Sequence, residues 1–469
     1  MVAHHSSVLN QPIGHRAVFR LAWPILISML SYTAMTVADS LFVAQLGTAP
    51  LAAVGLAATG AYLLNAFPLG LMGGARVQIA QATGADEHDR ARALAWQALW
   101  LAFALGLAVA ALVPLAGPYL ALLGASDALS EHGTSYLQVR ILSAPLVFGM
   151  FALQAWYQGR GDTRTPMVAV LIANALNIAL DPVFIFGWTV PGLFAVPSYG
   201  VAGAAIATAI ALATQNLVLW IPALSTLVAR PIGLRRALTA RIWRTGLPMG
   251  TNYVLDVLSF VVFSALLASV GDDHLAAHVI VIRILMVSFL PGHAIGEAAG
   301  VLVGQAVGAN RPDQARRAWW AATQQAVGGM ALCGLAFLLV PDVLVAGFRA
   351  EPAVARIAID VLALGALIQV FDAVAMVAFG ALNGAGDTRF TMVFNLLVNW
   401  LGKVPVSVLG VLVLEWGAYG AWLGIAAEVL LIALIGVARV RGTSWLTHGD
   451  AASVETDDRI SADAEPAAA

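Results

Sequence analysis

The chain has 469 residues, of which 60% are hydrophobic and only 11% charged, with a mean hydropathy of +0.84. Soluble domains carry about 25% charged residues, and so few charges cannot wet a soluble surface of this size, which excludes a soluble globular enzyme. The net charge of −2 carries no signal for nucleic acid, and no nucleic-acid partner is expected.

A membrane span needs about 20 apolar residues. Residues 1–16 are polar, and the apolar run that begins at Ala17 outlasts the core of a cleavable signal, so it reads as a retained first span. Runs separated by Gly, Pro or Arg clusters predict twelve spans at 17–45, 50–80, 93–115, 133–158, 165–187, 199–229, 240–270, 275–307, 316–340, 353–382, 390–414 and 417–440. Arginines fall on alternate connections: Arg16 and Arg20, Arg90 and Arg92, Arg160 and Arg164, Arg230 through Arg244, Arg311, Arg316 and Arg317, Arg389, Arg439 and Arg441. The intervening loops hold Asp127, Glu131, Asp272, Asp273 and Glu415, with only Arg349 and Arg356 as cations. The positive-inside rule then places both termini in the cytoplasm, and a location in the plasma (inner) membrane is expected. Residues 442–469 are Ala-, Ser-, Asp- and Glu-rich and read as a disordered acidic tail.

The chain matches itself. At an offset of 224, Pro24 falls on Pro248, Gly47 on Gly271, Leu51-Ala52-Ala53 on Leu275-Ala276-Ala277, and Gln81, Gly84 and Ala85 on Gln305, Gly308 and Ala309. At 225, Gly161-Asp162-Thr163-Arg164 falls on Gly386-Asp387-Thr388-Arg389, and Asn174 on Asn399. Two six-span lobes follow, 17–229 and 241–441, joined by a linker at 230–240. An even number of spans per copy makes the repeats parallel, an arrangement used by transporters. The fold class is an all-α integral membrane protein with two parallel six-helix repeats.

Several chemistries are excluded. Cys333 is the single cysteine, so no internal disulfide or thiolate cluster forms. Lys403 is the single lysine and lies in Leu401-Gly402-Lys403-Val404-Pro405, which is not a phosphate-binding P-loop. There is no H-E-x-x-H and no G-x-S-x-G. The chain reads as neither an enzyme nor an ATPase, and no organic cofactor is expected.

Carboxylates inside hydrocarbon cost about 2.5–3.5 kcal/mol each on insertion scales and mark functional sites by default. Those within predicted spans are Asp39, Asp181, Asp256, Glu297 and Asp372, with Asp360 and Glu428 near span margins. Asp39 and Asp181 both lie roughly 10 Å from the outer ends of their spans, by a rise of about 1.5 Å per residue. Asn174 and Asn177 share a helix face with Asp181, and Pro182 removes a backbone donor and so frees a carbonyl. An Asp–Asn–Asp cluster can hold a proton or, with added carbonyls, Na⁺. Asp256 and Asp372 can meet in the second lobe, and a simple salt bridge of Lys403 with one of them is the structural alternative to a second ion site. Glu297 is expected to pair with Arg283, and Asp162 and Asp387 to cap the helices they precede.

These residues resemble the multidrug and toxic compound extrusion (MATE) family over about Arg16 to Arg441. The carriers are Pro24…Val37-Ala38-Asp39-Ser40-Leu41-Phe42-Val43-Ala44-Gln45-Leu46-Gly47, Leu51-Ala52-Ala53-Val54-Gly55, both G-x-G-D-T-R turns, Asn177-x-x-x-Asp181-Pro182, and Gly203-Ala204-Ala205-Ile206-Ala207-Thr208. The resemblance implies twelve helices around a central V-shaped cavity and export of organic cations and varied drugs in exchange for H⁺ or Na⁺. It implies a first-lobe ion site at Asp39, Asn177, Asp181 and Thr208, a bending proline at Pro24, and a second-lobe acidic pair at Asp256 and Asp372, the first of which departs from the family's usual glutamate. Candidate cavity residues are Tyr32, Met35, Tyr62, Asn65, Gln154, Tyr157, Asn252, Tyr253 and Met286, whose aromatic faces and soft sulfur suit flat organic cations. The expected partners are small-molecule drugs and the lipid bilayer, with the chain acting as a monomer. A lipid-linked oligosaccharide flippase would carry more arginine in its spans, a passive channel needs no buried protonatable pair, and an intramembrane enzyme needs a nucleophile–base or metal set that is missing.

Overall fold

The computed structural model describes residues 13–190 and 194–446. The expected N-terminal segment lies largely, and the expected acidic tail mostly, outside these residues. The described chain is nearly all helix: α1 (His15–Ala44), α2 (Thr48–Gly84), α3 (His88–Ala110), α4 (Ala116–Leu122), α5 (Asp127–Leu142), α6 (Ala144–Gly159), α7 (Arg164–Phe186), α8 (Val201–Ala223), α9 (Arg236–Ala268), α10 (Asp272–Gly308), α11 (Pro312–Leu339), α12 (Pro341–Ala346), α13 (Pro352–Ala385), α14 (Thr388–Leu397), α15 (Val404–Val408) and α16 (Gly417–Arg441). Eleven helical stretches are long and apolar enough to cross a membrane, and α5 with α6 makes a twelfth bent by 46°. The bend falls at Ser143, whose hydroxyl donates back to the Val139 carbonyl at 2.7 Å, two residues before Pro145, which has no N–H to continue the ladder.

Several features depart from uniform helices, among them a π-helical turn at Leu224–Val228 after α8. Trp188–Val190 and Phe194–Val196 pair as an antiparallel hairpin between α7 and α8, which the apolar-run reading did not anticipate. The eleventh predicted span is not continuous α-helix: α14 passes into a π-helical stretch at Val398–Lys403, then α15, then a second π stretch at Leu409–Val413. Such stretches shift the faces that side chains occupy and often mark functional positions.

The backbone records the duplication. Gly47 and Gly271 both take φ well above zero (122° and 144°), as do Asp86 and Asn310 (63° and 54°), Gly124 and Arg349 (90° and 50°), and Gly161 and Gly386 (81° and 93°). Each pair is separated by 224 or 225 positions. Left-handed conformations are uncommon outside glycine, so four coincident pairs mark the same turns built twice.

The described residues form two compact units. One holds Trp23–Ile79 and Asp89–Val254; the other holds the chain up to Ala22, Ala80–His88 and Leu255 onward. In the first, α7 lies so close to α8 that a Cβ on Gly203 would strike the Phe184 carbonyl, and α2 meets α9 through Gly70 against Gly250 and Gly74 against Gly246. In the second, α10 and α13 meet backbone to backbone, with Gly296 and Gly300 facing Gly380 and Gly384. Small residues let helices approach this closely, which is how membrane helices gain packing energy without a hydrophobic drive. The second unit also contains a crossing of repeated motifs: a Cβ on Gly84 would meet the Gln305 carbonyl, and one on Gly308 the Gln81 carbonyl.

Candidate ion-coupling site

In the first unit, α1 supplies Asp39, α7 supplies Asn174, Asn177 and Asp181, and α8 supplies Thr208. The i, i+4 spacing of Asn177 and Asp181 puts both on one face of α7, and both side chains are fully buried. With its amide nitrogen turned toward the carboxylate, Asn177 donates to Asp39 Oδ1 at 2.8 Å and accepts from the Thr208 backbone N–H at 3.2 Å. The opposite orientation would set an amide oxygen against a carboxylate. One turn earlier, Asn174 donates to Ser31 Oγ of α1 at 2.8 Å. The Thr208 hydroxyl donates to the Ala204 carbonyl at 2.8 Å.

The Asp39 and Asp181 carboxyls lie close enough to interact directly. Both Asp181 oxygens are buried and neither receives an N–H or O–H donor. Two acceptors side by side, Asp181 fully buried and Asp39 half-buried, repel unless something positive lies between them. A shared proton meets that demand, as does a small cation.

Arg140, near the end of α5, is a residue that sequence reasoning missed. It lies within electrostatic range of Asp39 and Tyr136, and one of its guanidinium nitrogens is buried without an acceptor. Its signal was an ionisable side chain inside the apolar run 133–158.

The second-lobe acids sit differently. Asp256 on α9 accepts from Asn395 Nδ2 at 2.7 Å, Asn399 donates to Asn395 Oδ1 at 3.0 Å, and Ser259 donates to Asn399 Oδ1 at 2.8 Å. Asp256 stays exposed, whereas Asp372 on α13 is buried. Both lie within electrostatic range of Glu428 on α16. Lys403 bonds neither aspartate: its ammonium contacts Glu428 at 3.0 and 2.9 Å. The salt-bridge alternative is therefore corrected, because α16 packs its Glu428 face onto the π stretch that carries Lys403.

Other expectations shift as well. Glu297 pairs with His293, one turn away at 3.8 Å; Arg283 is fourteen positions off on the same helix, about 21 Å by its rise, out of reach. Asp162 caps α7, accepting from the Arg164 and Thr165 backbone N–H groups at 3.1 and 3.0 Å. Asp387 stands at the corresponding position of α14 but makes no side-chain cap; it accepts from Arg439 Nε at 2.8 Å, while Arg439 lies over the Phe390 ring. Among the candidate cavity residues, Tyr32, Tyr62 and Met286 are exposed, and Asn65, Gln154 and Tyr253 are half-buried. Met35, Tyr157 and Asn252 are buried, which removes them from any open lining in this conformation; the Tyr157 hydroxyl donates to the Leu219 carbonyl at 2.7 Å.

The comparisons with known proteins follow the same outline. The MatE family model matches residues 24–183 and again 248–409, beginning at Pro24 and Pro248, one repeat apart. A "Probable multidrug resistance protein NorM" of Pseudomonas aeruginosa is 31% identical over 436 residues, covering 89% of this chain and 87% of that protein. One of the same description from Pseudomonas putida is 30% identical over 444 residues, covering 92% and 94%. A crystal structure of "MATE in the bent conformation" superposes with a TM-score of 0.84 at 22% identity, over 94% of this chain and 97% of that one. The duplicated match, spanning most of the membrane region, decides the assignment: the chain belongs to the MatE family of multidrug and toxic compound extrusion transporters.

Proposed function

We propose that this protein is a secondary active antiporter that exports varied organic, often cationic, compounds in exchange for H⁺ or Na⁺ bound at Asp39 and Asp181. The observation that carries the reading is the Asp39–Asp181 contact, in which both buried Asp181 oxygens lack a donor. A site built from two facing acceptors is incomplete without a positive charge, and losing or gaining that charge changes the packing of α1 against α7. Asn177 couples that event to Thr208 on α8 through its two-sided amide. The names of the NorM relatives support a drug cargo. In the proposed cycle, the ion loads from outside, weakens cargo binding and favours the inward-facing state, and cargo loaded from inside returns the transporter outward. The cytoplasmic termini expected from arginine placement, and a plasma-membrane location, belong to the same reading.

The energetics suffice without ATP. For a cargo without net charge, one ion crossing 100 mV supplies about 2.3 kcal/mol and one pH unit about 1.4 kcal/mol per proton, together enough for a gradient of a few hundredfold; for a monovalent cation exchanged one for one the voltage contribution cancels and the pH unit alone supports about tenfold. The test is uptake of a fluorescent organic cation by purified protein in liposomes, with pH and Na⁺ gradients imposed separately. Dependence on either gradient, lost in Asp39→Asn, is the expected result; transport driven by neither gradient overturns antiport.

A further inference from the structure

Lys403 is the chain's single lysine, it is buried, and its ammonium faces both oxygens of a Glu428 carboxylate that is itself 14% exposed. A flexible ammonium is a compact point charge, and here it occupies a place among carboxylates from three elements: Glu428 of α16, with Asp372 of α13 and Asp256 of α9 in electrostatic range. The repeat sharpens the contrast. Shifted by 225, Lys403 corresponds to Ile178 and Glu428 to Gly203, while Asp181 corresponds to Val406. The first copy thus has a buried acid, Asp181, whose oxygens receive no donor, and the second has a buried acid bonded directly to an ammonium of the chain. The small Gly424, one turn before Glu428, rests against the Lys403 carbonyl and Ser407, so α16 comes close to the π stretch that ends at Lys403.

We propose that Lys403 is a tethered cation: it fills the carboxylate pocket of the second unit permanently, so that this pocket takes no exchangeable metal cation. On the antiport reading, on which only this consequence rests, the chain then has one exchangeable-ion site rather than two.

The test is binding, read as thermal melting of the purified full-length protein in detergent, in sodium chloride against choline chloride at equal ionic strength. It does not depend on transport, so it stands or falls separately from antiport. Five proteins are compared: wild type, Lys403→Met, Lys403→Arg, Glu428→Gln, and Lys403→Met with Glu428→Gln. Removing the ammonium leaves an uncompensated pocket, so Lys403→Met should gain a sodium-dependent rise in melting temperature of about 2 °C or more over whatever wild type shows. Lys403→Arg keeps the charge and should gain nothing. The double variant removes pocket and cation together and should return to wild-type behaviour, so any sodium effect at Asp39 and Asp181 cancels. Recovery of Lys403→Met only when purified in sodium would be the same result. Lys403→Met without a sodium-dependent gain overturns the proposal, as does a wild-type sodium effect abolished by Glu428→Gln alone. A double variant that fails to fold also overturns it, since Lys403 would then serve packing rather than charge.

Discussion

Asn177 reaches Asp39 on a different helix, donating at 2.8 Å, while its other amide atom receives the Thr208 backbone N–H. The amide is therefore a two-sided clamp, fixing α1 and α8 to the same point of α7. It also leaves Asp181, four residues on, with only a carboxyl for company.

The clamp can be separated from the charge. Asp181→Asn keeps shape but removes one of the paired acids, and should lower ion-coupled uptake at least tenfold in liposomes while the protein still elutes as a folded species. Asn177→Ala should instead cost about 1–3 kcal/mol of stability, because the Asp39 carboxyl loses the amide that donates to it. A melting curve for each variant beside its uptake rate distinguishes the two effects.

Pro24 lies inside α1, and the carbonyl it leaves short of a helical partner belongs to Arg20. Ser28 donates to the Pro24 carbonyl at 2.8 Å, which further loosens that turn. Pro24→Ala restores the missing hydrogen bond. It should slow transport several-fold with melting temperature unchanged or raised, measured by the same uptake assay.

Gly380 and Gly384 offer no room on the α10 side of α13. Gly380→Ala should destabilise by about 1–3 kcal/mol through overpacking, seen as a lower melting temperature. The same change at Gly328, whose surroundings are open, should be close to neutral.

The two G-D-T-R turns should respond differently to one substitution. Asp162→Ala removes a helix cap and should cost about 1 kcal/mol. Asp387→Ala strands Arg439, whose partner carboxylate is only 4% exposed, and should cost about 3 kcal/mol or more. Parallel melting curves check the order; equal losses would refute it.

Much of this was legible beforehand for a physical reason. An aspartate in hydrocarbon is costly, so Asp39 and Asp181 stood out against their neighbours, and helical spacing placed Asn177 beside Asp181. Pairing between helices was harder to read. Lys403 pointed to an acid, but whether it met Asp256, Asp372 or Glu428 depended on a π stretch that rotates its face and on the packing of α16, neither of which hydropathy encodes. Arg140 was overlooked because the run around it reads as one span, although the chain bends at Ser143. Tyr157 resembled a cavity aromatic until its hydroxyl proved committed to the Leu219 carbonyl. The hairpin after α7 was too short to leave a periodic signal.

The crossing of Gly84 with Gly308 follows from the duplication. Each glycine rests on a glutamine carbonyl that the opposite copy provides, so the same patch serves as both knob and socket. Self-complementary contacts of that kind arise between identical subunits related by a two-fold axis. One copy of the Gln-x-x-Gly motif therefore presents both halves of this contact, the small residue and the carbonyl it rests on.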